Sequence, residues 1–415
     1  MKEMLHRFFI DNWPRKGISL ILAVIVWFVV GQSLTTTKAF TNVPVRIVNL
    51  PPDMTVEGLL SNGLLNRRYT VVLSGNKAEL EDLTSNDFEI QIDATGHEEP
   101  WLQEITRENI KGTTHEINIS HISKASVKNI YVKLAKLHTE KIPVLITQPI
   151  GESPRGYQFL DIWPYQLYIT VSGPSDEVKK LKSRGIKLTF NLSDISRSAL
   201  DNIKSATESS HQDVVSFYVP EHWKTVDLAQ ISATPQKIDD PDAKYLRIDF
   251  VRNELISVKS PVQIDLFIPF SQNAPNPNRL EVTPTSLVES RGGFKIIKKP
   301  LYAKGVSELF MEVVKGFLEI QIIMGKKANL EFHDWSVQFI NPRLLEDRYV
   351  VMLMSDSSDK EMSNLQPKVR EEYLRNRFRN YMQRFKLYLS EDQPLELSIS
   401  LESNKVNVVE ENGKK

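Results

Sequence analysis

The feature that most constrains this chain is a run of 21 residues, Gly17 to Thr37, that carries no charge. Its centre, Ile18 to Val30, is apolar except for Ser19, and a serine inside a helix can bond back to a carbonyl of the preceding turn. About 20 helical residues cross the hydrocarbon of a bilayer. The strongly apolar part is shorter, so Gly17, Gly31, Gln32, Ser33 and Leu34 must occupy the interfaces. Trp13 and Trp27 carry rings that favour the headgroup region. Lys2, Arg7, Arg15 and Lys16 precede the run against Glu3 and Asp11, and basic flanks stay on the cytoplasmic side. The expectation is a cytoplasmic segment at 1–16, a transmembrane helix at 17–37 and an extracytoplasmic remainder. A cleaved signal peptide is the rival reading; no Ala-x-Ala site follows, and Gly31-Gln32-Ser33 is the nearest candidate. Both readings put the tail outside the cytoplasm.

A tail of this length calls for more than one domain. The chain is 41% hydrophobic and 25% charged, enough apolar content to build cores. Basic and acidic residues number 52 each, which gives no electrostatic reason to expect nucleic acid. Cysteine is absent, which removes disulfides, thiolate metal sites and cysteine nucleophiles and tilts the source towards a bacterial envelope.

The tail repeats itself. Val43-Pro44-Val45 matches Ile142-Pro143-Val144, and Thr70-Val71-Val72-Leu73-Ser74-Gly75 matches Tyr168-Ile169-Thr170-Val171-Ser172-Gly173 at nearly the same offset. Leu80 and Leu83 then fall on Val178 and Leu181, and Phe88, Ile90 and Ile92 fall on Ile186, Leu188 and Phe190. Each copy reads as an alternating strand ending at a Ser-Gly turn, a short helix (Lys77 to Leu83, Ser175 to Leu181) and a strand of strict in–out alternation. Later strands are expected at Val127 to Leu134, Val214 to Val219 and Tyr245 to Phe250. The fold class expected is therefore mainly β: small antiparallel modules at 38–139 and 140–256. A third module at 257–415 opens on Pro261-Val262, and its later residues do not match the Ser-Gly–helix–strand core. Pro269 to Arg279 and Asp201 to Asp213 read as loops, and Glu410 to Lys415 as a disordered end.

Within the third module, helix 367–386 is the one long helical signal of the tail. Val369, Tyr373, Leu374, Phe378, Tyr381, Met382 and Phe385 form an apolar face. The opposite face carries Lys368, Arg370, Arg375, Arg377, Arg379, Arg384 and Lys386. Anionic lipid or an acidic envelope polymer would suit that face. The plainer reading, which is preferred, is a helix packed on a sheet.

Catalytic chemistry is not visible. His115-Glu116 begins like a zinc-protease motif but lacks the second histidine. Gly151-Glu152-Ser153-Pro154-Arg155-Gly156 departs from a nucleophile elbow in spacing and in carrying Pro154. No phosphate-cradling glycine motif occurs, and no histidines fall at metal-ligand spacing. The expectation is a chain that is not an enzyme and holds no cofactor or metal.

The segment Trp13 to Trp27, with Lys16, Ser19-Leu20 and Trp27, resembles the N-terminal anchor of YbbR-domain proteins. Val43-Pro44-Val45, the strand ending at Gly75, the Leu80 to Leu83 turn and the strand ending at Asp93 resemble that family's repeat. The likeness is good over 13–144, moderate over 145–262 and poor beyond. Asn191 departs from it, standing where a strand-ending aspartate is usual. The resemblance implies a non-catalytic membrane protein whose helix touches a membrane-bound diadenylate cyclase and modulates cyclic di-AMP synthesis. The residues it points to for partner contact are Gly17, Ser19, Leu20, Ala23, Trp27 and Gly31, because helices in lipid associate through close packing at small residues. The other reading of the tail is a structural envelope protein whose β repeats bind wall polymer or another exported protein.

Overall fold

The computed structural model describes residues 13–33, 35–113, 122–127, 129–206, 214–269, 276, 279–327, 330–355 and 365–411. Helix α1 (Trp13–Ser33) begins with Pro14 in its first turn, where a missing N–H is tolerated. It starts and ends four residues before the 17–37 span read from the sequence. Thr35, Thr36 and Thr37 belong instead to strand β1 (Thr35–Val43), because β-branched residues fit a pleated strand better than a helix.

The first repeat is built from β1, β2 (Val45–Val48), β3 (Tyr69–Asn76), helix α2 (Lys77–Asp82), β4 (Phe88–Asp93), β5 (Ile110–Gly112) and β6 (Ile122–Val127). One sheet has the order β1-β3-β6 and the other β2-β4-β5. Strand β2 runs parallel to β4, Val45 facing Ile90, so the module is not wholly antiparallel. Phe88, Ile90 and Ile92 point into the core with Val43, Val45, Val71 and Leu73, as their alternation requires. The expected turn at Ser74-Gly75 is displaced. Both residues stay in β3 paired with β1, Gly75 opposite Thr36, and Asn76 makes the turn by accepting the Ala78 N–H at 3.1 Å. Lys38 Nζ closes the other end of α2, donating to the carbonyls of Leu80, Glu81 and Leu83 at 2.7, 3.1 and 3.1 Å.

The second repeat uses β7 (Leu134–Ile146), β8 (Tyr157–Trp163), β9 (Gln166–Pro174), α3 (Ser175–Arg184) and β10 (Ile186–Leu188), followed by β11 (Val214–Tyr218) and β12 (Arg247–Arg252). Small details recur between the copies. Thr37 and Ser74 share a hydroxyl bond at 2.9 Å, and so do Thr139 and Ser172 at 2.7 Å. The residue after each threonine reaches the helix: Lys38 caps α2, and Glu140 pairs with Lys182 of α3. Gly173, like Gly75, lies within its strand; a Cβ there would sit 3.2 Å from the Ile231 side chain, so the glycine accompanies close packing rather than a turn. Asn191 is no functional departure. It accepts the Ser193 N–H at 3.1 Å as Asp93 accepts the Thr95 N–H at 2.9 Å, the same local turn made by either side chain.

The third module corrects the sequence reading. Its elements include β13 (Leu255–Ser257), β14 (Gln263–Phe267), β15 (Tyr302–Lys304), α4 (Glu308–Val314), β16 (Leu318–Lys327), β17 (Leu330–Phe339), α5 (Pro342–Ser355), α6 (Pro367–Arg384) and β18 (Leu387–Ser390). Strand β15 lies between β13 and β18, as β3 lies between β1 and β6. Strand β14 runs parallel to β16 and β16 antiparallel to β17, as in β2-β4-β5. Lys304-Gly305 stands where Ser74-Gly75 stands, and α4 follows as α2 does. The match was hidden because a long insertion separates Pro261-Val262 from β15 and the strand before the glycine is only three residues. Helix α6 ends at Arg384, two residues short of the expected 367–386, and α5 is a second long helix of the tail that sequence periodicity missed.

The chain forms two compact units, a partition different in kind from the repeat boundaries expected at 139/140 and 256/257. Unit one comprises residues 1–144, 168–186 and 225–239; unit two comprises 145–167, 187–224 and 240–415. Strand β7 runs across the first boundary, and the second repeat contributes to both units. Of the expected loops, Asp201 to Asp213 begins inside a helix, Arg197–Ala206, and its residues 207–213 fall outside the described residues, as does most of Pro269 to Arg279. Glu410 ends a strand, Lys405–Glu410, and residues 412–415 fall outside the described residues.

Candidate functional site

Helix α1 has apolar residues on every side and is long enough, at about 32 Å, to match a hydrocarbon layer of about 30 Å. No part of the Trp13–Val30 window is buried within the chain. Trp27 is 76% exposed and Leu20 67%. A helix that is hydrophobic all round is stable in a protein core or in lipid, and this one has no core around it. Its eleven large apolar side chains from Ile18 to Val30 would each gain about 1.5–3 kcal/mol from leaving water, on the order of 20 kcal/mol together. Ser19 Oγ donates to the Lys16 carbonyl at 3.1 Å, so its polarity is satisfied inside the helix.

At about 100° per residue, the six residues read from the sequence share one side of α1, an arc of about 160°. Ser19, Ala23, Trp27 and Gly31 follow one another at four-residue steps, with Leu20 and Gly17 beside them. Gly17 has nothing within 4 Å of where a Cβ would stand. A neighbouring helix could approach at Gly17, Ser19 and Ala23, while Trp27 and Leu20 supply area.

The basic helix α6 does not offer a free charged face. Arg375 pairs with Glu346, Asp347 and Glu371 at 3.1, 2.7 and 2.8 Å, Arg379 pairs with Glu346 at 2.9 Å, and Arg370 donates to the Leu353 carbonyl at 2.7 Å. Tyr373, Leu374, Phe378 and Tyr381 are buried, which favours the packed-helix reading over lipid or polymer contact.

A cluster that the sequence did not reveal lies in unit two. Asp249 of β12 is fully buried and takes bonds from Ser216 at 2.6 Å, from the Tyr373 hydroxyl, and from Arg377 at 3.3 Å; Arg247 Nε lies 3.6 Å away. Burial raises the Asp249 carboxyl, and the two guanidiniums outweigh that and hold it below its ordinary range. Burial pushes the Tyr373 hydroxyl well up. Both sides of this cluster are packed rather than open, which suits structure better than turnover. Alternation in β12 gave no hint, because Arg247 and Asp249 occupy positions that read as solvent-facing.

Unit one holds a cavity of about 330 Å³ lined by Glu57, Asn66, Arg67, Tyr69, Tyr131 and Lys133 among others. Glu57 and Lys133 neutralise each other across it at 2.8 Å. Gly151 sits at a bend with φ +79° and Pro154 precedes no helix, so the elbow-like segment has no elbow geometry. His115-Glu116 falls outside the described residues, among which no group of three His, Asp or Glu residues is placed to hold a metal ion.

No family model matches the chain, and no curated protein does. The chain is similar to the crystal structure of a YbbR-like protein from Streptococcus pneumoniae TIGR4, at 15% identity, covering 52% of this chain and 94% of that one with a TM-score of 0.27. That superposition is too loose to carry an argument, and the mainly β fold stands on this chain's own strands.

Proposed function

We propose that this is a non-catalytic, membrane-anchored protein in which α1 crosses the bacterial cytoplasmic membrane and the β tail lies outside. The observation that carries the reading is α1 itself: apolar on all sides from Ile18 to Val30, unburied by the chain, and carrying Arg15 and Lys16 in its first turn. The likeness of residues 13–144 to the YbbR-domain repeat supports a role in regulating a membrane-bound diadenylate cyclase, and so cyclic di-AMP levels. The side of α1 carrying Gly17, Ser19, Leu20, Ala23, Trp27 and Gly31 is the surface for that partner. The tail needs no cofactor for this role.

The test is affinity purification of the full chain from its own membranes. A diadenylate cyclase should co-purify, and Ser19→Leu with Ala23→Leu should weaken its recovery by filling the close-packing side. No cyclase in the eluate, with cyclic di-AMP unchanged on deletion of the gene, would overturn the proposal.

A further inference from the structure

Strand β8 carries Asp161 directly opposite Asp249 of β12, two carboxyls on one face of an antiparallel pair. Such a pair is unfavourable when both are charged, and here it is sealed: Asp161 is 6% exposed and Asp249 not at all. The register is produced by a bulge between Phe159 and Asp161, and Arg384 of α6 donates to the carbonyls of Phe159 and Leu160 at that irregularity. The cations are unequally shared. Arg247 and Arg377 both direct themselves at Asp249. Asp161 takes its hydrogen bonds from neutral donors, the Tyr165 hydroxyl at 2.6 Å and the Ile162 N–H at 2.9 Å.

We infer that the opposed carboxyls form an acid-strengthened latch between β8 and β12, in which Asp161 holds a proton in mild acid and loosens the strand pair when it gives that proton up. The groups that act on Asp161 are Tyr165 beyond its own strand, Asp249 from β12, and Arg377 and Arg384 from α6, while Arg247 of β12 and Tyr373 of α6 meet its partner Asp249. Burial pushes the Asp161 carboxyl up to about 6; Asp249 adds to the rise, and Tyr165, the Ile162 N–H and Arg377 oppose it. A carboxyl raised by folding binds its proton more tightly in the folded state. The contribution of Asp161 to the stability of unit two is therefore fully present below the ordinary carboxylate range and is lost as the pH rises through about 6. In a tail outside the cytoplasm, this latch would meet the external pH.

The experiment is unfolding of the full chain in lipid nanodiscs between pH 5 and pH 7.5, with hydrogen exchange read at Tyr157–Trp163. The unfolding constant of the wild type should rise about tenfold over that interval from this group alone, and Asp161→Asn should remove that rise. Equal pH dependence in the two proteins would overturn the inference. Should the variant fail to fold, carbon-13 carboxyl titration of the wild type decides: a transition of Asp161 near 6 supports the latch, and one near 4 refutes it.

Discussion

Replacing Asp249 by asparagine keeps the shape of the side chain and removes its charge from between two guanidiniums. Arg247 is 1% exposed and Arg377 8%, so neither can turn to water to recover what it loses. Breaking a buried ion pair from one side costs about 3–5 kcal/mol, because the partner's charge stays buried and uncompensated. The substituted carboxamide would keep an acceptor for Ser216 or Tyr373 but could not balance both cations. Against a typical domain stability of about 5–15 kcal/mol, that loss is severe. For a unit of this size it corresponds to a fall in the melting temperature on the order of 10 °C. The assay is thermal unfolding of the full chain in nanodiscs at pH 7.5, followed by near-ultraviolet circular dichroism, with denaturant titration for the free energy. Arg377→Met in the Asp249→Asn background should cost less than the sum of the single changes, with a coupling of about 1–3 kcal/mol. A loss below about 1 kcal/mol for Asp249→Asn, or strict additivity, would refute the reasoning that these charges depend on one another. The sign with pH is opposite to that of Asp161. Asp249 is held below its ordinary range, so its contribution is present above that range and is lost only as the pH falls through its lowered value.

Gly305 has φ +70°, and a Cβ there would collide with the Gln158 carboxamide, so Gly305→Ala should destabilise unit two by about 1–3 kcal/mol in the same melt. Asn191→Ala removes the acceptor for the Ser193 N–H and should cost about 1 kcal/mol, whereas Asn191→Asp should be nearly neutral; chemical denaturation of both separates the turn role from any other. Lys38→Met frees three carbonyls at the end of α2 and should cost about 1 kcal/mol, with faster amide exchange confined to Lys77–Asp82.

The parts of this fold that could be read in advance are those in which one residue's position fixes its neighbour's. Alternation over Phe88 to Asp93 placed three side chains in the core, and all three are fully buried. The two-copy repeat survived because its spacing is nearly constant. The third copy escaped because an insertion separates Pro261-Val262 from β15, and register between β14 and β16 is a long-range parallel pairing that no local pattern records. The lower limit of α1 was misplaced because loss of charge and onset of helix are different events: Arg15 and Lys16 are helical and charged. That Gly17, Ser19, Leu20, Ala23, Trp27 and Gly31 share one side of α1 was legible, since geometry at 100° per residue needs no tertiary information. The Asp161–Asp249 pair was not, because it depends on a bulge and on which strand β8 meets.

The absence of cysteine gives the most direct test of the central claim, that α1 crosses the membrane and leaves the tail outside. Single cysteines at Leu5 and at Ser61 can be probed in intact cells with a membrane-impermeant maleimide. The account predicts labelling of Ser61→Cys in intact cells and of Leu5→Cys only after lysis. Labelling of Leu5→Cys from outside, or protection of Ser61→Cys until lysis, would contradict it.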